Sequence, residues 1–355
     1  MRVALDAMGG DNAPAEIVRG AVQAAETGIL KPGRVLLVGD RERIAGQLEE
    51  AGAAYRVIDS EEPPDPEGEE FPVLHASQVV GMEEQPTQAL RQKPDSSLMV
   101  ATKLVKEGKA RALVSAGNTG AVVALATTQL RMLPGIRRPG IAVTIEGDEG
   151  PFTVIDVGAN VHPKPEHLLH YGFMGACLAE QTLGLANPRV ALLNIGGEAG
   201  KGNLLAKEVQ HLFRSSGLNF IGNVEGQEVF LAASDVIVTE GFVGNVLLKL
   251  SEGLATHLLK VVKEELSSAG VSREKVEASL ARIWRRCDYS EYGGALLLGV
   301  EGVVTICHGR SGARAISNAL RLAWTASDKG INEQIVQRIR AAGTAAKAAP
   351  GSGAH

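Results

Sequence analysis

One local pattern recurs along this chain and limits the folds open to it. A short apolar run with strand composition ends in a loop of Gly and Asn, and the loop opens a helix. Residues 112–114 run into 115–120, 152–157 into 158–160, 190–193 into 194–203, 236–238 into 239–245, and 303–307 into 308–311. Further strands are expected at 3–5, 35–38, 55–58 and 141–145. Helices are expected at 15–25, 41–51, 78–82, 89–106, 122–131, 167–183, 204–213 and 313–323. Alternating strand and helix predicts an α/β fold: a Rossmann-like, largely parallel sheet flanked by helices. Residues 1–340 are read as one domain. The loops at 115–120, 156–160, 194–203, 239–245 and 308–311 then leave the carboxyl ends of strands, where ligands bind in such sheets.

The stretch 235–266 is the most informative of these. Val236, Ile237 and Val238 lead into a turn with Gly241 and Gly244. Leu247, Leu250, Leu254, Leu258 and Val261 then recur at helical spacing after Asn245. N–H groups at a helix start lack intrahelical partners and suit an anion. A second amphipathic helix follows Ser272, with Val276, Leu280, Ile283 and Trp284 on one face. From Lys249 to Cys287 the hairpin carries eight Lys or Arg against five Asp or Glu. An apolar stripe with basic flanks suits a membrane surface or an acidic partner; a subunit interface or an ordinary core face would use it equally.

Composition narrows the function. The net charge of −5 and an aromatic content of 4% argue against nucleic acid, which needs a basic footprint and stacking rings. Cys177, Cys287 and Cys307 are far apart, which suggests neither a disulfide framework nor a zinc site and fits a reducing, cytoplasmic setting. No apolar run reaches the roughly 18 residues of a membrane span, and the N-terminus lacks a secretory core. Residues 61–70 are acidic and Pro-rich, an exposed loop placed away from any anion site. Residues 341–355 read as a disordered tail.

The loops offer donors rather than nucleophiles, a composition for binding and orienting an anion. The loop at Lys201 has three residues between Gly196 and Gly200 where a P-loop has four, so no nucleotide is expected; nor does a strand lead into GxGxxG. No cofactor and no metal are expected. Lys201 reads as a point charge for phosphate or as a solvated loop lysine. Asn245 would polarise a carbonyl or cap a helix. His308 would donate to an anion or close a turn, and Lys164 would reach the same ligand or lie on the surface. Cys307 reads as a small buried side chain. Asp6 and Asp11 read as turn and capping carboxylates more than as metal ligands.

Eight motifs then appear in order: DAMGGD (6–11), RQKPDSSL (91–98), SAGNTGA (115–121), DVGAN (156–160), NIG to KGN (194–203), GFVGNVLLK (241–249), GGALLLGVEGVV (293–304) and HGRSGARAISNA (308–319). This set resembles the bacterial phosphate acyltransferase family of phospholipid synthesis. The resemblance implies transfer of a fatty acyl group from acyl carrier protein to inorganic phosphate. It implies an acyl phosphate product, taken up by a membrane glycerol-phosphate acyltransferase. It also implies a homodimer with a fold like the isocitrate and isopropylmalate dehydrogenases, and peripheral association with the inner face of the membrane. The hairpin, at 246–290, then protrudes to serve that surface, and its Arg282, Arg285 and Arg286 meet the acidic carrier protein.

In this reading Lys201 and the backbone of Gly117, Asn118, Thr119 and Gly120 hold phosphate, while Asn245 contacts the reacting carbonyl. Asn160, Lys164, Gly241, Gly244, His308 and Ser311 complete the expected substrate contacts. Three positions depart from the family: Asn12 stands where His is usual, Glu240 where Asp is usual, and Leu296 where Pro is usual. Glu240 receives no role. The alternatives are a coenzyme A-dependent phosphotransacylase and a non-catalytic membrane-surface scaffold.

Overall fold

A computed structural model describes residues 1–59, 65–231 and 234–348. Along the chain the elements are β1 (Val3–Asp6), α1 (Ala15–Glu26), β2 (Val35–Gly39), α2 (Arg41–Glu50), β3 (Tyr55–Ile58), β4 (Phe71–His75), α3 (Pro86–Gln92), α4 (Ser97–Lys106), β5 (Ala112–Ser115) and α5 (Thr119–Leu125). There follow β6 (Gly140–Gly147), β7 (Gly150–Ile155), α6 (Pro165–Leu178), β8 (Val190–Leu193), α7 (Leu204–Ser215), β9 (Phe220–Val224), β10 (Val236–Val238), α8 (Gly241–Ser268) and α9 (Arg273–Cys287). Last come β11 (Ala295–Leu298), β12 (Val303–Ile306), α10 (Ala313–Asp328) and α11 (Ile331–Ala348). These elements group into two compact units. The first takes Met1–Pro139, Glu180–Gly184 and the described part of Tyr292–His355; the second takes Gly140–Ala179 and Leu185–Glu291.

The first unit orders its strands β3-β4-β2-β1-β5-β12-β11. All pairs are parallel except β11 with β12. Every residue of β1, β2, β5 and β12 is buried, as a parallel sheet covered by helices on both faces requires. Helix α1 packs on α10 with no room to spare: a Cβ on Gly20 would lie 2.5 Å from Ile316 Cβ. Glu16 of α1 also accepts the Ala313 N–H at 2.8 Å, a carboxylate on the positive end of α10.

The second unit orders its strands β6-β7-β10-β8-β9, with only β6 and β7 antiparallel. Its core joins Val154, Ile155, Val236 and Ile237 of the sheet to Tyr171 of α6 and Phe213 of α7. The long pair α8 and α9 stays largely outside that core; its buried residues are Gly241, Gly244, Leu248 and Val276.

Some expectations change. Residues 78–82 are expected as helix but form an isolated bridge at Gln78 followed by irregular chain and a turn: Gln78 N–H donates to Asp95 O at 3.1 Å and Ser97 N–H to Gln78 O at 3.0 Å. The stretch expected as a tail from residue 341 is helical to Ala348; residues 349–355 lie outside the described residues. Of the acidic loop at 61–70, residues 61–64 lie outside them too. Glu67 is tied down by Arg34 and by Lys31 at 3.3 Å, and the Arg34 hydrogen bond holds its carboxyl below the usual range. Ser272 sits at the N-cap of α9 but its side chain makes no cap bond. Leu296 is buried in β11, paired with Thr305.

Candidate active site

In the first unit β1, β5 and β12 are parallel neighbours, so the loops after them leave one edge. Asp11 N–H joins two of these loops through Gly309 O at 2.8 Å. A Cβ on Gly9 would stand 2.6 Å from Asp6 Oδ2 and 2.8 Å from Gly117 N, so only glycine permits this approach. Ser115 Oγ donates to Asp6 Oδ2 at 2.7 Å and accepts the Gly117 N–H at 3.1 Å. Burial pushes the Asp6 carboxyl above its ordinary range, against the hydrogen bonds from Ser97 and Ser115.

The side chain of Asn118 is fully committed. Its Oδ1 caps α5 by accepting Ala121 N–H at 3.1 Å, and its Nδ2 donates to Met82 O at 2.9 Å and Glu84 O at 3.0 Å. Since Gly117 N–H is spent on Ser115, it drops out of the expected phosphate donors. The N–H groups of Asn118, Thr119 and Gly120 have no partner among the described residues, and Thr119 and Gly120 are exposed. Three successive free donors at a helix start are the arrangement that suits an anion. In the loop after β12, His308 Nδ1 accepts Arg310 N–H at 3.2 Å and His308 O accepts Ser311 N–H at 2.9 Å, a closed turn that leaves Ser311 buried. Burial pushes the Cys307 thiol up to about 12, so it is protonated at neutral pH and is no nucleophile.

In the second unit β7, β10 and β8 are parallel neighbours and send out the loops 156–160, 239–245 and 194–203. Asp156 organises the first of these. Its Oδ1 accepts N–H from Ile141 at 2.9 Å, Gly158 at 3.1 Å and Ala159 at 2.9 Å, and its Oδ2 accepts Asn160 N–H at 2.8 Å. Burial raises its pKa and these four donors oppose that rise. Asn160 spends its side chain on Tyr171 Oη at 2.8 Å and its carbonyl on Gly241 N–H at 2.8 Å.

The start of α8 does not offer the free donors expected of it. Gly241 N–H goes to Asn160 O, and Gly244 N–H goes to Glu240 O at 2.9 Å. The Glu240 carboxylate takes Phe242 N–H at 2.9 Å and Val243 N–H at 3.0 Å. A carboxylate of the chain thus fills the place of an anion, and Gly241 and Gly244 serve packing instead. A Cβ on Gly241 would lie 2.6 Å from Asn160 O. Asn245, one residue on, is exposed, and its amide has no hydrogen bond among the described residues. Its Oδ1 lies 3.6 Å from where a Gly158 Cβ would be. Lys201 is also exposed and has no ion-pair partner among the described residues. Lys164 is exposed; its N–H donates to His167 Nδ1 at 3.1 Å at the start of α6. An open cleft of about 470 Å³ between α6 and α7, lined by Pro165, Lys207, Glu208, His211 and Leu212, includes none of these loop residues.

Sequence reasoning gives no role to Asp156, Ser115 or Glu240, though it notes Glu240 as a departure from the family. Each is a polar residue directly after or near the end of an apolar run, and that position was the available signal.

The architecture is an α/β fold of mostly parallel strands flanked by helices, with loops at the strand ends. Solved structures share it: a phosphotransacetylase from Streptococcus pyogenes at TM-score 0.62 and 15% identity, covering 92% of this chain and 94% of that one. A 4-hydroxythreonine-4-phosphate dehydrogenase from Burkholderia phymatum matches at TM-score 0.51 and 15% identity, covering 91% and 97%. These likenesses show the fold alone. At closer range, the phosphate acyltransferase of Heliobacterium modesticaldum is 46% identical over 343 residues, 96% of this chain and 97% of the relative. That of Desulforamulus reducens is 46% identical over 344 residues, again 96% and 97%. The family described as "Fatty acid synthesis protein" matches residues 1–334, and the chain belongs to it. It is an acyltransferase.

Proposed function

We propose that the protein transfers a fatty acyl group from acyl carrier protein to inorganic phosphate, and that the acyl phosphate feeds a membrane glycerol-phosphate acyltransferase in phospholipid synthesis. The observation that carries this reading is the row of unpartnered N–H groups at Asn118, Thr119 and Gly120, a cradle suited to a small oxyanion. The names of the relatives point the same way.

The chemistry asks little of side chains. A phosphate oxygen attacks the thioester carbonyl carbon; a C–O bond forms, the C–S bond breaks, and the phosphate proton ends on the departing thiol. Phosphate is already a competent nucleophile, so the protein's work is to orient reactants and stabilise charge on the carbonyl oxygen. In the second unit phosphate is assigned to the Lys201 ammonium and the carbonyl oxygen to the Asn245 amide; in the first unit the 118–120 donors are offered to an oxyanion. His308 and Ser311 shape a loop of the first unit, and Asn160 and Lys164 shape a loop of the second.

Hairpin α8–α9 has the surface that membrane association and carrier docking need. Leu250, Leu254 and Leu258 are 66%, 53% and 51% exposed, with Arg282, Arg285 and Arg286 exposed on α9. No helix among the described residues is long and apolar enough to cross a membrane. Peripheral attachment on the cytoplasmic side and a homodimer sharing part of this face complete the reading.

Replacing Lys201 by Ala tests the assignment. Turnover should fall about 100- to 1000-fold with the fold intact. Unchanged activity would remove Lys201 from the chemistry.

A further inference from the structure

Lys201 sits on backbone that local preference does not fix. The residues on either side, Gly200 and Gly202, both adopt positive φ, +93° and +96°. The loop from Asn194 to Asn203 contains no helix or strand. It is held by three side chains, one of its own and two from neighbouring elements. Asn194 Nδ2 donates to Lys201 O at 3.0 Å, and Asn223 Nδ2 of β9 donates to Gly196 O at 3.1 Å and Glu198 O at 3.0 Å. Gln210 of α7 does more: its Nε2 donates to Lys201 O at 3.3 Å while its Oε1 accepts Gly200 N–H at 3.5 Å.

Gln210 is out of place as a surface residue. It is 5% exposed, on a buried helix face beside Val209 and close to Phe213, both fully buried. An apolar residue would satisfy packing there. A buried primary amide is costly unless its polar atoms are bonded. Both ends of this one are spent on the two residues Gly200 and Lys201, so the side chain behaves as an extra peptide unit locking that bend.

We propose that Gln210 is a positioning residue that sets the direction of the Lys201 side chain for phosphate. The inference rests on the assignment of Lys201 to phosphate given above. A small displacement of a substrate-holding group costs up to about 100-fold in rate, so losing this lock has a measurable effect.

The test compares four proteins: wild type, Gln210→Leu, Lys201→Ala and the double variant. Each is assayed for kcat and for both KM values, with thermal melting as a check of folding. Gln210→Leu should raise the KM for phosphate by roughly ten- to 100-fold and leave the KM for the acyl donor unchanged. In the Lys201→Ala background the same substitution should add no further loss, because Gln210 acts only through Lys201. Gln210→Glu supplies a second readout and keeps the site polar. Its carboxylate cannot donate to Lys201 O, but its protonated form can, so activity relative to wild type should recover as pH falls.

A merely structural glutamine predicts the reverse: both KM values shift together, the losses add in the double variant, and Gln210→Glu shows no recovery in acid. That pattern, or a fully active Gln210→Leu beside an inactive Lys201→Ala, overturns the proposal and leaves the role of Lys201 standing. A fully active Lys201→Ala overturns the role of Lys201 and this inference with it.

Discussion

Gly244, in the first turn of α8, meets the backbone of Asp156 with no space between them: a Cβ on Gly244 would stand 1.9 Å from the Asp156 carbonyl oxygen. Asp156 cannot retreat, because its carboxylate holds four backbone N–H groups. Gly244→Ala should therefore cost at least the roughly 1–3 kcal/mol of ordinary overpacking. Gly253 in the same helix is the control, since nothing lies within 4 Å of its Cβ position. Gly253→Ala should stabilise by up to about 1 kcal/mol through helix propensity. Urea midpoints for the two variants should move in opposite directions.

The three cysteines should separate by burial. Cys287 is exposed, while Cys177 and Cys307 are buried, and the Cys307 thiol is pushed up to about 12. At pH 8 an aromatic disulfide reagent should modify Cys287 alone in the native protein and all three after denaturation. Cys307→Ala should retain turnover. A loss of turnover would make Cys307 a candidate nucleophile, against its burial.

Asp95 gives a pH dependence. The Ser77 hydroxyl donates to its Oδ2 at 2.5 Å and the Ser77 N–H at 2.9 Å, and these bonds hold its pKa below the ordinary 3.8. The lowered folded-state value means that the contribution to stability is present above about pH 4 and is lost as pH falls through the depressed pKa. Carboxyl carbon shifts should place the Asp95 midpoint below 3.8, and Ser77→Ala should move it up. A wild-type midpoint at or above the ordinary value would contradict the geometry.

Strand, glycine loop and helix were legible because parallel strands buried on both faces are mostly apolar: β10 is Val-Ile-Val, and β1, β5 and β12 each carry a single polar residue, Asp6, Ser115 and Thr305. Strand β4 was not, because Pro72 lies inside it. Strand β9 was hidden by Gly222 and Asn223 and pairs with a register shift at Val190 and Ala191. The candidate site was legible as loops but not as donors. Sequence marks a helix start as an anion site but does not say whether a nearby carboxylate fills it. Glu240 fills it at α8, while Asn118 caps α5 and leaves three N–H groups open. Gln210 was invisible for a related reason: on α7 it reads as one polar residue of an amphipathic helix, and only tertiary contact brings it to Lys201.

Thiol release from a long-chain acyl carrier protein, followed with and without inorganic phosphate and with hydroxylamine to trap an acyl phosphate, tests the central claim most directly. The prediction is release that requires phosphate, yields a trapped acyl product, and is faster than with the matching acyl-coenzyme A. Release that proceeds equally without phosphate would make the protein a thioesterase, and no release from either donor would contradict acyl transfer to phosphate.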